Sequence, residues 1–211
     1  MRLIHTSLFA AIAALGLTAC NKPADTTPEA TPAAEATAAQ PTAESTPDAP
    51  PAMTSEAHAN HGAAAELAPT KDSTVKGNVT FSVVDGKVHV KGEVSGLKPN
   101  SEHGFHIHEK GDCSAPDGAS AGGHFNPGKE DHGSVAATPH HGGDMPNIKA
   151  DAQGNAVVDA DVSTNVNIGK GDDFDIIGRG LIVHADADDY KTQPTGNAGA
   201  RLACAVIKAA P

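Results

Sequence analysis

Short runs of β-branched residues, joined by connections rich in Gly and Pro, follow one another through the C-terminal part of the chain. The candidate strands are Thr74–Val84, Lys87–Val94, Glu102–Glu109, Ala156–Val162, Leu181–Ala185 and Ala200–Lys208. Asp85-Gly86 between the first two runs is typical of a two-residue hairpin turn, and no segment has the periodicity of an amphipathic helix. The pattern predicts an all-β domain, a Greek-key antiparallel β-barrel or sandwich of about eight strands.

The N-terminal part has a different composition. Residues 1–20 contain Arg2 and a short apolar stretch, Ser7–Thr18, which predicts an export signal because a membrane span needs about 20 apolar residues. Residues 21–70 are rich in Ala, Pro, Thr and Glu, with Leu67 as their only large aliphatic residue. Such a segment buries too little apolar surface to offset chain entropy. We therefore predict a disordered tether over 21–70 and a folded domain over 71–211.

The net charge of −11 and the absence of a basic tract argue against a nucleic-acid partner. His58 and His61 form a His-x-x-His pair in the tether, which we interpret as a solvated pair without function. Two connections in the folded domain, Gly111–Pro146 and Asp186–Gly199, are much longer than a hairpin requires. Because long loops in a compact domain are usually functional, and the first holds most of the histidines, we expect two functional loops.

The histidines have the spacing of metal ligands. His106 and His108 lie in a candidate strand, where residues i and i+2 point to the same face and can chelate one ion. The first long loop then supplies several further candidate ligands, and His184 ends a late apolar strand. Three imidazoles and one carboxylate suit a tetrahedral zinc site. The loop candidates for such a site are His124, His132, His141 and Asp144.

Four blocks in this order resemble the motifs of the copper,zinc superoxide dismutase family, in its bacterial branch. They are Gly104-Phe105-His106-Ile107-His108, Gly123-His124-Phe125-Asn126-Pro127, His141-Gly142-Gly143-Asp144 and Gly196-Asn197-Ala198-Gly199-Ala200-Arg201-Leu202-Ala203-Cys204. The resemblance covers about Thr74 to Ile207. The segment Cys113–His124 is longer than in the eukaryotic enzymes, so the shape of this loop and any dimer surface stay open.

The resemblance implies two metal sites with a shared ligand. Copper is expected on His106, His108, His124 and His184. Zinc is expected on His124, His132, His141 and Asp144. The resemblance also implies that Asp188 hydrogen-bonds the free ring nitrogens of His106 and His132. His140 adjoins His141, and only the family spacing His-Gly-Gly-Asp selects His141. His103 and His89 have no matching role and are interpreted as surface or packing residues.

The implied reaction is the disproportionation of superoxide to oxygen and hydrogen peroxide, in which copper is alternately reduced and reoxidised. His124 is expected to take up a proton on its copper side and pass it to the peroxide. Arg201 matches the family arginine that holds a small anion beside the metal. An acidic protein repels an anionic substrate, and a local positive charge of this kind offsets that repulsion near the metal.

The ending Leu17-Thr18-Ala19-Cys20 resembles a bacterial lipobox. This implies lipidation of Cys20 and a membrane partner through an N-terminal lipid anchor, in the periplasm or cell envelope and, because Asn21 follows, on the outer membrane. Cys113 and Cys204 then remain as an even pair, for which a disulfide is the default expectation in an oxidising compartment.

Three rivals compete with this hypothesis: a copper-binding protein without turnover, a copper-only dismutase, and a structural lipoprotein with an incidental zinc site. The presence of Arg201 and of the whole expected ligand set favours the enzyme. The sequence does not decide between a monomer and a homodimer.

Overall fold

The computed structural model describes residues 62–211. Within this range the chain forms ten strands and one short 3₁₀ turn, Ala119–Ala121. The strands are β1 Ala63–Pro69, β2 Lys76–Val84, β3 Lys87–Ser95, β4 Glu102–His103, β5 Phe105–His108, β6 Ile148–Lys149, β7 Ala156–Asp161, β8 Gly180–His184, β9 Arg201–Val206 and β10 Lys208–Ala209. Over the same residues, no helix is long and apolar enough to cross a bilayer.

Eight of these strands form one curled antiparallel sheet, in the order β5-β8-β9-β1-β2-β3-β7 with β10 beside β1. The chain leaves β3, forms β5 at the far end of this order, and returns to β7, the end strand beside β3. This is a Greek-key connection, and the first long loop lies in it between β5 and β6. Strands β4 and β6 pair separately. The predicted all-β fold is confirmed.

The hairpin between β2 and β3 has the predicted turn. Val84 pairs with Lys87, and Asp85 and Gly86 have φ values of 50° and 79°. Positive φ at both central positions is the signature of the turn that matches the right-handed twist of the strands. Because the turn fixes the register, Val88 and Val90 of β3 point into the core.

The core lies on one face of the curled sheet. Its largest fully buried apolar side chains come from β2, β5 and β8 and from the connections that follow β5, β7 and β9. They are Phe81, Phe105, Ile107, Met145, Ile176, Leu181 and Ile207. Ile182 points to the opposite face, where it packs with Ala121 and Cys204 in a smaller cluster. The loop from Gly111 therefore covers the outer face of β8 and β9.

The structure corrects the end of the predicted tether. Residues 63–69 are strand β1, which pairs with β2, β9 and β10. Ala63, Ala65 and Leu67 alternate with more exposed residues and are buried, so small alanines fill a tightly packed face of the sheet. Strand β6 was also not predicted. The earlier part of the predicted tether, which includes His58 and His61, lies outside the described residues. The same holds for the predicted signal and Cys20.

Candidate metal centre

Strand β5 presents two imidazoles from one face. His106 and His108 are two residues apart, so their side chains point the same way, and both are fully buried. Ile107 between them contributes to the main core. The two rings therefore share one face, as the sequence predicts, and Ile107 points to the apolar core on the opposite face.

A third imidazole comes from the neighbouring strand. His184 ends β8, which pairs with β5, and the pairing of β8 with β9 is irregular between Val183 and His184. Such an irregularity re-aims the side chain that follows it. Nε2 of His184 lies 3.3 Å from Nε2 of His108. Two adjacent strands thus bring these rings together without a loop.

The strand imidazoles join one loop imidazole in a first group of four buried residues. Each offers a ring nitrogen within 4.8 Å of the others: His106, His108, His124 and His184. Nδ1 of His106 and Nε2 of His124 are buried and have no hydrogen-bond partner among residues 62–211. A buried polar atom without a partner costs about 1–3 kcal/mol. These nitrogens therefore fit a metal ion held by neutral imidazoles.

A second group lies in the first long loop, on the other side of His124. Its ligand atoms also lie within 4.8 Å of one another, and its members are His124, His132, His141 and Asp144. Oδ1 of Asp144 is 3.0 Å from Nδ1 of His124 and 2.9 Å from Nδ1 of His132. Oδ2 accepts the backbone N–H groups of Gly133 and His141. Two groups therefore meet at one shared ring, that of His124.

The structure places His141, and not His140, in the second group. Nδ1 of His141 lies 3.4 Å from Nδ1 of His124. His140 instead bonds the backbone oxygen of Ala137 at 2.6 Å and Oγ of Ser163 at 3.0 Å. Both ring nitrogens of His140 are thus occupied away from the site, which supports the spacing argument for His141.

Asp188 of the second long loop connects the two groups. Its carboxylate accepts a hydrogen bond from Nε2 of His106 and another from Nε2 of His132, each at 2.9 Å. The Asn147 side chain accepts the backbone N–H of Asp188 and donates to its backbone oxygen, also at 2.9 Å. Gly196 has φ 64° and lies so close to Asp188 that a Cβ would overlap the carboxylate. The loop is therefore built around this aspartate.

Arg201 and a disulfide tie the first long loop to β9. Cys113 and Cys204 are bonded across a sequence separation of 91 residues. A loop of that length corresponds to about 4–5 kcal/mol in the chain-entropy model. The guanidinium of Arg201 donates to the backbone oxygens of Gly118 at 2.7 Å and Gly122 at 2.6 Å. It is partly exposed at the surface beside His184, its strand partner.

Comparison with known proteins agrees with this geometry. The family model described as copper/zinc superoxide dismutase matches residues 75–207, which is more than half of the chain. The chain belongs to this family. Its cofactors are accordingly copper and zinc, and its activity is the disproportionation of superoxide.

Relatives from bacteria cover most of the folded part. A copper-zinc superoxide dismutase of Aquifex aeolicus is 41% identical over 149 residues, 69% of this chain and 86% of the relative. That of Caulobacter vibrioides is 40% identical over 150 residues, with the same two shares. Among solved structures, the clock protein EA4 matches with a TM-score of 0.62 and 41% identity, over 71% of this chain and 94% of that one.

Burial favours the neutral form of three rings in the first group. Burial lowers the pKa of His124 to about 4 and that of His184 to about 3, and it also lowers the pKa of His108. The neutral ring is the form that binds a metal. His132 differs: burial opposes its protonation, but bonds to Asp144 and Asp188 outweigh burial and raise the pKa to about 9.

Each carboxylate of the site is held ionised. Burial alone would raise the pKa of Asp144, but its bonds to His124 and His132 bring the pKa well below the usual range. The same balance, with bonds from His106 and His132, lowers the pKa of Asp188. Two buried negative charges beside the imidazoles favour a cation at this place.

Two supporting residues escaped the sequence analysis. His103 was interpreted as a surface or packing residue; it is 1% exposed, and its Nδ1 donates to the backbone oxygen of His184 at 2.8 Å. Asn147 had no assigned role. Both act on the backbone of a site residue from elsewhere in the chain, and no local motif signals such a contact.

Proposed function

We propose that the first group holds copper, that the second group holds zinc, and that superoxide reacts on the copper side. The copper ligands of this proposal are His106, His108, His124 and His184. The zinc ligands are His124, His132, His141 and Asp144. The observation that carries the proposal is the ring of His124, whose Nδ1 faces Asp144 while its buried Nε2 has no hydrogen-bond partner among the described residues.

The arrangement of the other ring nitrogens supports this division. Nδ1 of His108 bonds the backbone oxygen of Gly122 at 2.9 Å, which leaves Nε2 for the metal. Asp188 occupies Nε2 of His106 and of His132, which leaves Nδ1 in both. Partners of this kind fix the tautomer and the orientation of a ligand ring. Little rearrangement is therefore required when the metals bind.

When bound, copper supplies the alternate one-electron reduction and reoxidation that the reaction needs, which zinc cannot supply. In total, two superoxide anions and two protons give one O₂ and one H₂O₂. Nε2 of His124 is the protein atom that holds a proton on the copper side. It is buried beside the rings of His106 and His108, so this proton is delivered inside the site.

Arg201 holds the anion. Its guanidinium is fixed by two backbone oxygens of the first loop, so its positive charge keeps one position at the surface next to the first group. The protein as a whole is acidic, with a net charge of −11. A fixed local cation attracts a small anion where the mean charge repels it. A copper-binding protein without turnover and a structural lipoprotein give no reason for an arginine in this position. The second group, with Asp144 among its members, argues against a copper-only dismutase.

For the part of the chain before Ala63 we propose lipidation of Cys20, with residues 21–62 as a tether between an outer-membrane anchor and the enzyme domain. The lipobox-like Leu17-Thr18-Ala19-Cys20 supports the anchor, and the Cys113–Cys204 disulfide supports an oxidising compartment such as the periplasm. Mass spectrometry of the mature protein tests this. A diacylglycerol on an N-terminal Cys20 is expected, and an unmodified chain that begins elsewhere contradicts it.

The test of the site is metal analysis and a superoxide-removal assay on the same sample. We expect one copper, one zinc and high activity in the loaded protein. Arg201→Ala should lower the rate about tenfold or more with both metals retained, and should weaken the decrease of rate with ionic strength. Lys98→Ala removes one exposed positive charge elsewhere and serves as the control. A fully metallated protein without activity would end the proposal.

A further inference from the structure

Gln193 of the second long loop bonds both backbone groups of His132 in the first. Its Oε1 accepts the N–H of His132 at 2.8 Å, and its Nε2 donates to the backbone oxygen of His132 at 2.9 Å. The two residues are 61 positions apart. A primary amide carries the same donor and acceptor as a peptide group. The Gln193 side chain therefore makes with His132 the two backbone hydrogen bonds that a neighbouring strand would make.

The backbone of His132 depends on this contact. The residue is 3% exposed and belongs to no strand, and Gln193 is the only partner of its N–H among the described residues. A buried N–H without a partner is costly. Without the Gln193 amide, either the N–H of His132 stays buried without a partner, or His132 moves toward water.

Movement of this backbone displaces the ring. Nδ1 of His132 lies against Asp144, and its Nε2 lies against Asp188, both at 2.9 Å. Both carboxylates are fixed by further hydrogen bonds, Asp144 from Gly133 and Asp188 from Tyr190. The ring keeps both contacts only while its backbone stays in place. Gln193 consequently controls whether Nδ1 of His132 faces the other members of the second group.

Packing does not account for the position of Gln193. The residue is exposed. Within the described part of the chain, the one further hydrogen bond of its amide beyond His132 is a long one, 3.5 Å, to the backbone oxygen of Lys191. Asn147 makes the reverse contact, from the end of the first loop to the backbone of Asp188. Each loop thus uses one amide side chain to hold the backbone of a site residue in the other loop.

We propose that Gln193 is a positioning residue of the zinc side, which holds the backbone of His132 so that its ring is ready for the ion. This inference rests on the proposed assignment of His132 to zinc. The residue itself touches neither metal nor substrate. Its loss should raise the rate of zinc release, while copper on the strand imidazoles is retained.

The experiment compares Gln193→Met with the matched control Gln153→Met, at an exposed turn. Methionine keeps the length of the side chain and removes both hydrogen bonds. We expect zinc to leave Gln193→Met about 10–100-fold faster into a chelator than it leaves the control, by analogy with other residues that orient metal ligands. Copper content and the unfolding midpoint should change little, whereas a merely structural role would lower the midpoint and release both metals together.

Amide hydrogen exchange of the metal-free protein gives an independent readout. The His132 amide should exchange faster in Gln193→Met than in the control, whichever metal the ring binds. Gln193→Glu retains the acceptor for the His132 amide and loses the donor, so protection of this amide should be kept. This variant also replaces Gln193→Met in the comparison with the control if the methionine variant does not fold. Equal zinc release and equal exchange in Gln193→Met and Gln153→Met would overturn the inference. Full zinc retention in His132→Ala would instead contradict the zinc assignment.

Discussion

The two halves of the metal centre are built differently. In the strand half, His106, His108 and His184 lie on the paired strands β5 and β8, whose other faces contribute to the apolar core. In the loop half, His132, His141 and Asp144 lie in a connection without regular strands.

The difference lies in what fixes each ligand. Core packing and ladder hydrogen bonds fix the strand half, and these form with the fold itself. Individual polar contacts fix the loop half: Gln193 on the backbone of His132, and Asp144 on the N–H groups of Gly133 and His141. A loop ordered in this way gains more from the ion than a strand does. A substitution in the core should therefore lower the stability of the whole fold, whereas loss of one of these polar contacts should weaken zinc binding.

The largest effect is expected from the core beneath the strand half. Ile107→Ala removes a 0% exposed side chain between the two β5 imidazoles and should lower the free energy of unfolding by about 2–5 kcal/mol. Val157→Ala is the control, because Val157 is 77% exposed and should change stability by less than about 0.5 kcal/mol. Denaturant unfolding of the metal-free proteins measures both. If the two variants are equally stable, core packing does not support the strand half.

A smaller effect, confined to metal binding, is expected at Asp188. In Asp188→Asn one carboxylate oxygen becomes an NH₂ group, which cannot accept the hydrogen bond from His106 or from His132. Zinc affinity should fall about 10–100-fold, or about 1.4–2.7 kcal/mol. Asp186→Asn removes the same charge two residues earlier at an exposed position and is the control. Competition with a chelator measures both affinities, and equal values would show that Asp188 does not orient these rings.

The sequence predicts the strand half better than the loop half. Alternation places His106 and His108 on one face, because the rule depends only on the strand. The choice of His141 over His140 needed the family spacing, and only the structure shows that His140 bonds Ala137 and Ser163. The contacts of Gln193 and Asn147 could not be predicted, since a side chain that bonds a distant loop backbone leaves no periodicity and no local motif.

Strand β1 was missed for a related reason. Ala63 and Ala65 are not β-branched, and the preceding sequence is also rich in Ala, so composition alone joins Ala63–Pro69 to the predicted tether. The strand forms because β2 and β9 both pair with it and because the small side chains fit the tightly packed face. Tertiary pairing overrides weak local preference here, and neither partner is visible from the segment itself.

The smallest effect is expected at His89. Like His132, this histidine lies between two carboxylates. His89 bonds Asp161 at 2.8 Å and Asp159 at 2.7 Å on the outer face of β3 and β7, with Lys91 also near Asp159. The hydrogen bond to Asp161 is the main cause that raises the pKa of His89 above 6.5. Burial opposes this rise, and the hydrogen bond to Asp159 adds to it.

A raised pKa in the folded state means that protonated His89 stabilises the fold. This contribution is fully present below pH 6.5 and is lost as the pH rises through the higher folded value. The free energy of unfolding of the wild type minus that of His89→Gln should therefore decrease from pH 6 to pH 9, and added salt should reduce it because the carboxylates are exposed. A difference that does not vary with pH would show that the contact is uncharged. His89 and His132 would then be alike only in their hydrogen-bond geometry. Burial of His132 between two ionised carboxylates would be the property that sets the loop half of the centre apart from the surface contact of His89.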